Sequence, residues 1–374
     1  MISEEPRAPR QTRIVGHIDF DYFYAQCEEI RQPELRGKPL AVCVFSGRTE
    51  DSGVVSTANY VARKYGVKSG IPIRAAKSRL AMVDNAVFLP IDMPYYSAVS
   101  QAAMTIIDRF ADVLEQVGVD ECYVDISNQV VDFEAARKIA ESLKKTVAHS
   151  TGLTCSVGIA PNKMLAKVAS DVQKPDGLTV IAVADVDGFV SQLAVEKIAG
   201  IGPKTAARLS EMGAKTMGEV RRLDMFTLAE EFGKKTAVFL HNAARGIDEE
   251  PVAETQEKKQ IARIATLKVD ATSSEEMLEE LRSLCSSVAA TAESRKLSYR
   301  SVAVLLFLDN LDQKSKSRTL KTHASSSELV YSTARALLEE LMESGSAKVR
   351  RLGVRLGEFQ DSGGQNTMSQ FIGD

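Results

Sequence analysis

Two stretches decide how this chain is read: His17-Ile18-Asp19-Phe20-Asp21-Tyr22-Phe23-Tyr24-Ala25-Gln26 and Val117-Gly118-Val119-Asp120-Glu121-Cys122-Tyr123-Val124-Asp125-Ile126. Each sets carboxylates inside an apolar, β-branched and aromatic run of the kind that forms strands. A carboxylate in such a setting is costly unless it is paired, neutralised or bound to a cation. Neither run contains a Lys or Arg. Carboxylates on neighbouring strands without a basic partner point to a hard divalent cation held by oxygen ligands. Asp120 and Glu121 are adjacent, so on a regular strand they would face opposite sides. Both reach one ion only where a hairpin turn breaks the alternation.

Outward from these runs, residues 13–18 and 39–45 read as strands with a helix at 22–31 between them. Residues 57–65 read as a second helix stopped by Gly66, 69–72 as a turn and 74–80 as a short basic helix. Helical periodicity covers 94–110, strands 113–119 and 121–126 flank the acidic pair, and 133–151, 154–159 and 162–172 follow as helix, strand and helix. Such alternation indicates a one-sheet α/β or α+β domain. After residue 183 the pattern turns helical. There Ile198-Ala199-Gly200-Ile201-Gly202-Pro203-Lys204 reads as a helix-hairpin-helix turn. Its glycines allow close approach, and the next helix N-terminus offers free N–H groups to a phosphate. A polar linker at 249–260 leads to strands at 261–269, 300–308, 318–322 and 350–359 and helices at 274–294 and 326–343.

Of the 374 residues, 44% are hydrophobic, enough for several globular domains. No apolar run approaches the ~20 residues of a membrane span. The first 13 residues lack the apolar core of a signal peptide, so a loose tail and a cytoplasmic location are expected. Five cysteines, without a C-x-x-C pair, argue for reduced core thiols and against disulfides or zinc. The net charge of −3 at first argues against a nucleic-acid partner. Its distribution argues otherwise. Residues 258–358 hold 17 Lys and Arg against 13 Asp and Glu, a balance of +4 that leaves −7 elsewhere. The cations cluster at Arg295, Lys296 and Arg300, at Lys314, Lys316, Arg318 and Lys321, and at Lys348, Arg350, Arg351 and Arg355. One basic face on a near-neutral domain is the footprint of phosphate-backbone contact.

The acidic runs, together with Cys43-Val44-Phe45-Ser46-Gly47-Arg48, Thr57-Ala58-Asn59-Tyr60-Val61-Ala62-Arg63-Lys64-Tyr65-Gly66, Ser156-Val157-Gly158-Ile159-Ala160-Pro161-Asn162-Lys163 and Gln173-Lys174-Pro175-Asp176-Gly177, resemble the Y-family (translesion) DNA polymerases of the archaeal DNA polymerase IV type. The resemblance covers nearly the whole chain. It implies an α+β, multidomain right hand: palm at 14–32 and 91–183, small fingers at 33–90, and a helical thumb with the hairpin at 184–248. After the linker it implies a little finger of four strands and two helices at 261–360. The activity implied is template-directed addition of dNTPs to a primer 3′-hydroxyl, with low fidelity and lesion bypass. A catalytically silent scaffold of the same fold, binding DNA and clamp, is the alternative.

By that resemblance Asp19, Asp120 and Glu121, with the Phe20 carbonyl, hold two Mg²⁺ ions. Tyr60, Arg63 and Lys174 contact the triphosphate, and Tyr24 is the steric gate against a ribose 2′-hydroxyl. Asp21 is read as a helix N-cap and Asp125 as structural; Tyr22 and Phe23 are core candidates. Gly200, Gly202, Lys204, Arg300, Lys316, Arg318, Lys321, Arg350 and Arg351 are the expected DNA contacts. Gly118 departs from the Ser or Ala that relatives often place there, which bears on the stiffness of the strand. The tail at 361–374 resembles a sliding-clamp (PCNA) interaction box built on Gln365, Met368, Phe371 and Ile372. A monomer is expected.

Overall fold

The computed structural model describes residues 13–254, 259–343 and 348–361. The chain divides into two compact units. The second contains the C-terminal residues from 257 onward together with segments 45–53 and 72–74, and the first contains the rest.

In the first unit the strands are β1 (Val15–Phe20), β2 (Leu40–Phe45), β3 (Gly53–Ala58), β4 (Val87–Pro90), β5 (Val113–Gln116), β6 (Glu121–Asp125), β7 (Cys155–Ala160) and β8 (Leu178–Val180). Five of them form one sheet in the order β5-β6-β1-β7-β8, antiparallel except for the β7–β8 pair. Alternation sorts its side chains. Ile18, Phe20, Cys122, Val124 and Val157 join a core with the helices Phe23–Arg31, Met93–Asp108 and Phe133–Thr151. Val15, Tyr123 and Ala160 face the other way, toward the helix Lys163–Val172 and the helical segment after it. The odd-numbered β1 residues His17 and Asp19 lie on that second face.

The helix Lys163–Val172 packs unusually close to β7. A Cβ at Gly158 would lie 2.1 Å from the Ala166 carbonyl oxygen and 2.4 Å from the Ser170 nitrogen, so only glycine fits there. The expected 57–65 helix is corrected: residues 53–58 are strand β3 and the helix is the single turn Tyr60–Arg63. Asn59 starts it, its side-chain oxygen accepting from the Ala62 N–H at 3.0 Å, while Val54, Val55 and Thr57 favour the strand. β3-β2-β4 form a small second sheet. Beyond residue 183 come short helices at Val186–Gln192, Pro203–Glu211, Met217–Val220, Met225–Phe232 and Lys234–Ala243, packed through Ile198, Leu209, Met217, Leu228 and Leu240.

The C-terminal unit contains β9 (Gln260–Ala271), β10 (Leu297–Leu308), β11 (Gln313–Ala324) and β12 (Val349–Gly357), antiparallel in the order β11-β10-β12-β9. A short β13 (Gln360–Asp361) pairs with the start of β10. The helices Leu278–Ser294 and Ser327–Met342 cover one face. β11 is far longer than the expected 318–322, because its Lys, Ser, Arg and Thr residues carry no apolar alternation and pairing to β10 alone holds it extended. Among the described residues no helix is long and apolar enough to cross a membrane. All five cysteines are free and buried. The tail positions Gln365, Met368, Phe371 and Ile372 lie outside the described residues.

Candidate active site

The carboxylates of the two acidic runs converge at one end of the five-stranded sheet. Asp19 on β1 stands directly opposite Glu121 on β6, so both side chains leave the same face. Asp120 occupies the turn before β6, where the N–H groups of Val117 and Gly118 both donate to the Glu121 carbonyl. The Phe20 N–H donates to the Asp120 carbonyl at 2.8 Å, stitching the turn to the end of β1. This is the break in alternation that the adjacent acids require. Gly118 lines the same turn: a Cβ on it would lie 3.1 Å from Asp120 Oδ1 and 3.3 Å from Glu121 Cγ.

Two like charges directly opposite each other are unfavourable, and basic partners absent from both runs arrive from elsewhere. Lys174 Nζ lies 2.8 Å from Asp19 Oδ2 and 2.7 Å from Asp171 Oδ1. Lys167 makes a short contact with Glu121 Oε2. His17, fully buried, sets Nε2 3.3 Å from the same Glu121 oxygen and Nδ1 2.8 Å from Ser170 Oγ. Burial lowers the His17 pKa. The two His17 ring nitrogens thus bridge Glu121 and Ser170, and the Ser170 hydroxyl in turn donates to the Lys167 carbonyl at 2.8 Å. The His17 hydrogen bond, aided by Lys167, holds the Glu121 carboxyl down at about 2. Asp19 and Asp120 are pushed the other way, above the usual carboxylate range, by burial; Lys174 opposes the rise at Asp19, and Asp19 adds to it at Asp120.

The sequence reading that the acids have no basic partner is therefore corrected. Lysines from the helix Lys163–Val172 and just beyond it neutralise Asp19 and Glu121, and Asp120 makes no ion pair among the described residues. With those lysines in place, no group of three acid, His or Cys side chains is gathered closely enough to hold an ion among the described residues. The donor set still fits a divalent cation: three carboxylates at one sheet end, two of them held by displaceable ammonium groups. His17, Lys167 and Ser170 escaped the sequence reading. Their signal is the polar spacing 167, 170, 171 on the helix Lys163–Val172 and 174 just beyond it, set against His17 and Asp19 two apart on β1.

Asp21 is not an N-cap. Its carboxylate accepts from Thr154 Oγ1 and Ser156 Oγ, both at 2.8 Å, and from the Asp176 N–H at 2.9 Å, and it is 1% exposed. Tyr22 occupies the cap position instead, at a left-handed φ of 37° that reverses the chain from β1 into the helix Phe23–Arg31. Asp125 is structural as expected, accepting from the Ser127 N–H at 2.9 Å at the far end of β6. Tyr24 stacks on Tyr96, with centroids 4.6 Å apart. Tyr60 meets Tyr22 edge-on at 5.3 Å and lies under the Arg63 guanidinium at 4.8 Å. Its hydroxyl is buried without a hydrogen-bond partner among the described residues.

In the hairpin turn Gly200 has φ 96°, and a Cβ there would lie 3.2 Å from Phe239, so both backbone and space call for glycine. The element before the turn is a 3₁₀ turn, Val195–Lys197, where a helix was expected; Gly202 caps the helix Pro203–Glu211 behind it. In the C-terminal sheet, strand register divides the basic cluster. Val302 and Val304 face the helices, and their β11 partners Arg318 and Lys316 both bind Glu340 of the helix Ser327–Met342. Arg300 pairs with Glu358 and Arg350 with Asp270. The other face carries Ser301, Ala303, Ser315, Ser317, Thr319 and Gly353, with Arg351 and Arg355 among them, while Lys321 is exposed on β11 where its register to β10 shifts. The single basic face expected from sequence is thus split into ion-paired and open rows.

Comparison with known proteins decides the family. An impB/mucB/samB family model matches residues 18–171, the C-terminal domain model of that family matches 258–368, and a DNA polymerase-iota thumb-domain model matches 196–248. A DNA polymerase IV of Nitrosopumilus maritimus is 47% identical over 363 residues, covering 97% of this chain and 100% of the relative. That of Saccharolobus solfataricus is 38% identical over 350 residues, covering 92% and 96%. A solved Y-family chimera of Dbh and Dpo4 has a TM-score of 0.87 at 35% identity, covering 92% of this chain and 98% of its own. The chain belongs to the Y-family DNA polymerases. This Y-family chain is a translesion DNA polymerase with the family's right-hand fold, and its family carries a divalent-metal requirement. An insertion ternary complex of Dbh DNA polymerase is also similar, at TM-score 0.68 and 36% identity over 92% of this chain and 98% of that one.

Proposed function

We propose that Asp19, Asp120 and Glu121, with the Phe20 carbonyl, hold two Mg²⁺ ions that serve nucleotidyl transfer from a dNTP to a primer 3′-hydroxyl. The observation that carries the reading is the cross-strand pair Asp19–Glu121 beside Asp120 at a turn, neutralised by lysines rather than by fixed arginines. When bound, such ions supply Lewis acidity that lowers the hydroxyl pKa and offsets charge at the α-phosphate. The chain's own groups do the positioning. Tyr60, Arg63 and Lys174 take the triphosphate: the Tyr60 hydroxyl, without a partner among the described residues, offers a donor, Arg63 offers a planar fork, and Lys174 leaves Asp19 for a phosphate oxygen. Tyr24 lies under the sugar and excludes a 2′-hydroxyl.

The helices of 184–248 form the thumb, where Gly200, Gly202 and Lys204 present backbone N–H groups and a charge to a DNA phosphate. Arg351, on the open face of the 261–360 sheet, and the exposed Lys321 of β11 are the stronger DNA contacts; Arg300, Lys316, Arg318 and Arg350 reach phosphate only by giving up an internal partner. Residues 14–32 and 91–183 make the palm and 33–90 the fingers. The chain acts as a cytoplasmic monomer tethered to a sliding clamp through Gln365, Met368, Phe371 and Ile372. Asp120→Ala is the direct test: primer extension should be abolished while primer-template affinity stays within a few-fold, and normal extension would refute the metal assignment.

A further inference from the structure

The ring of Tyr24 does not stand alone. Its near-parallel partner Tyr96, at 24° and 4.6 Å, is fully buried. The Tyr96 hydroxyl donates to Glu28 Oε1 at 2.7 Å, and Glu28 is itself fully buried. That carboxylate also accepts from Arg31 Nη2 at 2.7 Å and from Gln32 Nε2 at 3.3 Å. Arg31 in turn reaches Asp92, the cap of the helix that carries Tyr96, at 2.9 Å. Tyr24 and Glu28 are four apart on one helix and share its face. Ring, backing ring and carboxylate therefore form a closed loop between two helices. Glu29, one position on, faces elsewhere: it accepts from Tyr22 and from Asn59 Nδ2, so it is no part of this loop.

A steric filter works only if it does not yield. A ring free to retreat by a fraction of an ångström accommodates an extra hydroxyl, because the penalty for overlap is then replaced by the small cost of moving the ring. What sets that cost here is the residue behind the ring. Tyr96 has no exposed side to retreat into, and its hydroxyl is held by a carboxylate that has a guanidinium of its own.

We propose that Tyr96, anchored by Glu28, is a specificity-determining positioning residue that stiffens Tyr24 and thereby sets the discrimination between deoxyribo- and ribonucleotides. The inference rests on the reading of Tyr24 as the sugar filter. Tyr96 touches neither substrate nor metal in this scheme and acts only through Tyr24.

The test is single-nucleotide insertion by the full chain, comparing kcat/KM for a dNTP and the matching rNTP in wild type, Tyr24→Ala, Tyr96→Phe, Tyr96→Leu and the Tyr24→Ala/Tyr96→Leu double variant. Tyr24→Ala should relax discrimination strongly; if it does not, the filter reading itself fails. Given that it does, Tyr96→Leu should relax discrimination about tenfold while dNTP insertion stays within threefold of wild type. Tyr96→Phe, which keeps the ring and loses only the Glu28 bond, should fall between. The double variant should be no more permissive than Tyr24→Ala alone, since a backing residue has no effect once its ring is gone. Tyr96→Phe and Tyr96→Leu variants with wild-type sugar ratios, or additive effects in the double variant, would overturn the proposal. If Tyr96→Leu melts too low to assay, Tyr96→Phe decides alone: a relaxed ratio supports the proposal and an unchanged one refutes it.

Discussion

Replacing Lys167 with Met tests the electrostatic account of the site. The Glu121 carboxyl is held at about 2, first by the His17 hydrogen bond and then by Lys167. Against an ordinary glutamate value of about 4.3, that is worth roughly 3 kcal/mol at neutral pH. Glu121 and Lys167 are 28% and 30% exposed, so solvent screening cuts the figure to about half. What remains is shared between His17 and Lys167, leaving about 0.5–1 kcal/mol for Lys167. Thermal melts of the metal-free protein should place Lys167→Met about 1–4 °C below wild type at pH 7. Glu121 has a lowered folded-state pKa, so its contribution is present above the unfolded value and is lost as pH falls from about 4.5 toward 2. The gap between the two proteins should therefore close on acidification. Because Lys167 competes with any cation for Glu121, Mn²⁺ binding without nucleotide, followed by electron spin resonance, should be tighter in the variant. Equal melting at pH 7, a gap that widens in acid, or weaker Mn²⁺ binding would each refute the reasoning.

Other outcomes follow from the packing and the charge rows. Gly158→Ala should lose several kcal/mol of stability or fail to fold, since its Cβ meets backbone atoms of the helix Lys163–Val172 that cannot move aside; a urea midpoint near wild type would contradict this. Arg351→Ala should reduce the salt slope of DNA binding by about one, whereas Lys316→Ala should change it less, because Lys316 already binds Glu340. Fluorescence anisotropy across a salt series separates the two, and a larger effect at Lys316 would reverse the assignment. Deleting residues 365–374 should abolish clamp-stimulated synthesis and spare basal primer extension; loss of both would make the tail structural.

Much of this was legible in the sequence because two local signals were strong. Carboxylates inside β-branched runs located the site, and the adjacency of Asp120 and Glu121 forecast a turn between β5 and β6. Strand and helix periods located most elements of the five-stranded sheet and its helices, but not β3, β4, β8 or most of the short helices after residue 183. What escaped was non-local. Lys167 and Lys174 neutralise acids that lie 46 and 155 positions earlier, and no spacing rule within either run reports them. Asp21 misled because an acid before a helix looks like a cap, whereas its partners Thr154, Ser156 and Asp176 come from far along the chain. The division of the basic cluster was hidden for another reason: β11 has no apolar alternation, so only its register against β10 shows which cations face Glu340.

The Tyr60 hydroxyl, buried without a hydrogen-bond partner among the described residues, has a consequence for the proposed triphosphate site. A buried hydroxyl without an acceptor costs about 1–3 kcal/mol. If Tyr60 contacts the triphosphate as proposed, a phosphate oxygen supplies the acceptor that its hydroxyl lacks among the described residues. A ligand that supplies that acceptor would gain up to this energy, equal to a factor of roughly 5 to 150 in its affinity. Under the proposed role, stability and recognition are set against each other at this one atom: a substitution that removes the hydroxyl would steady the free protein while weakening its hold on a phosphate.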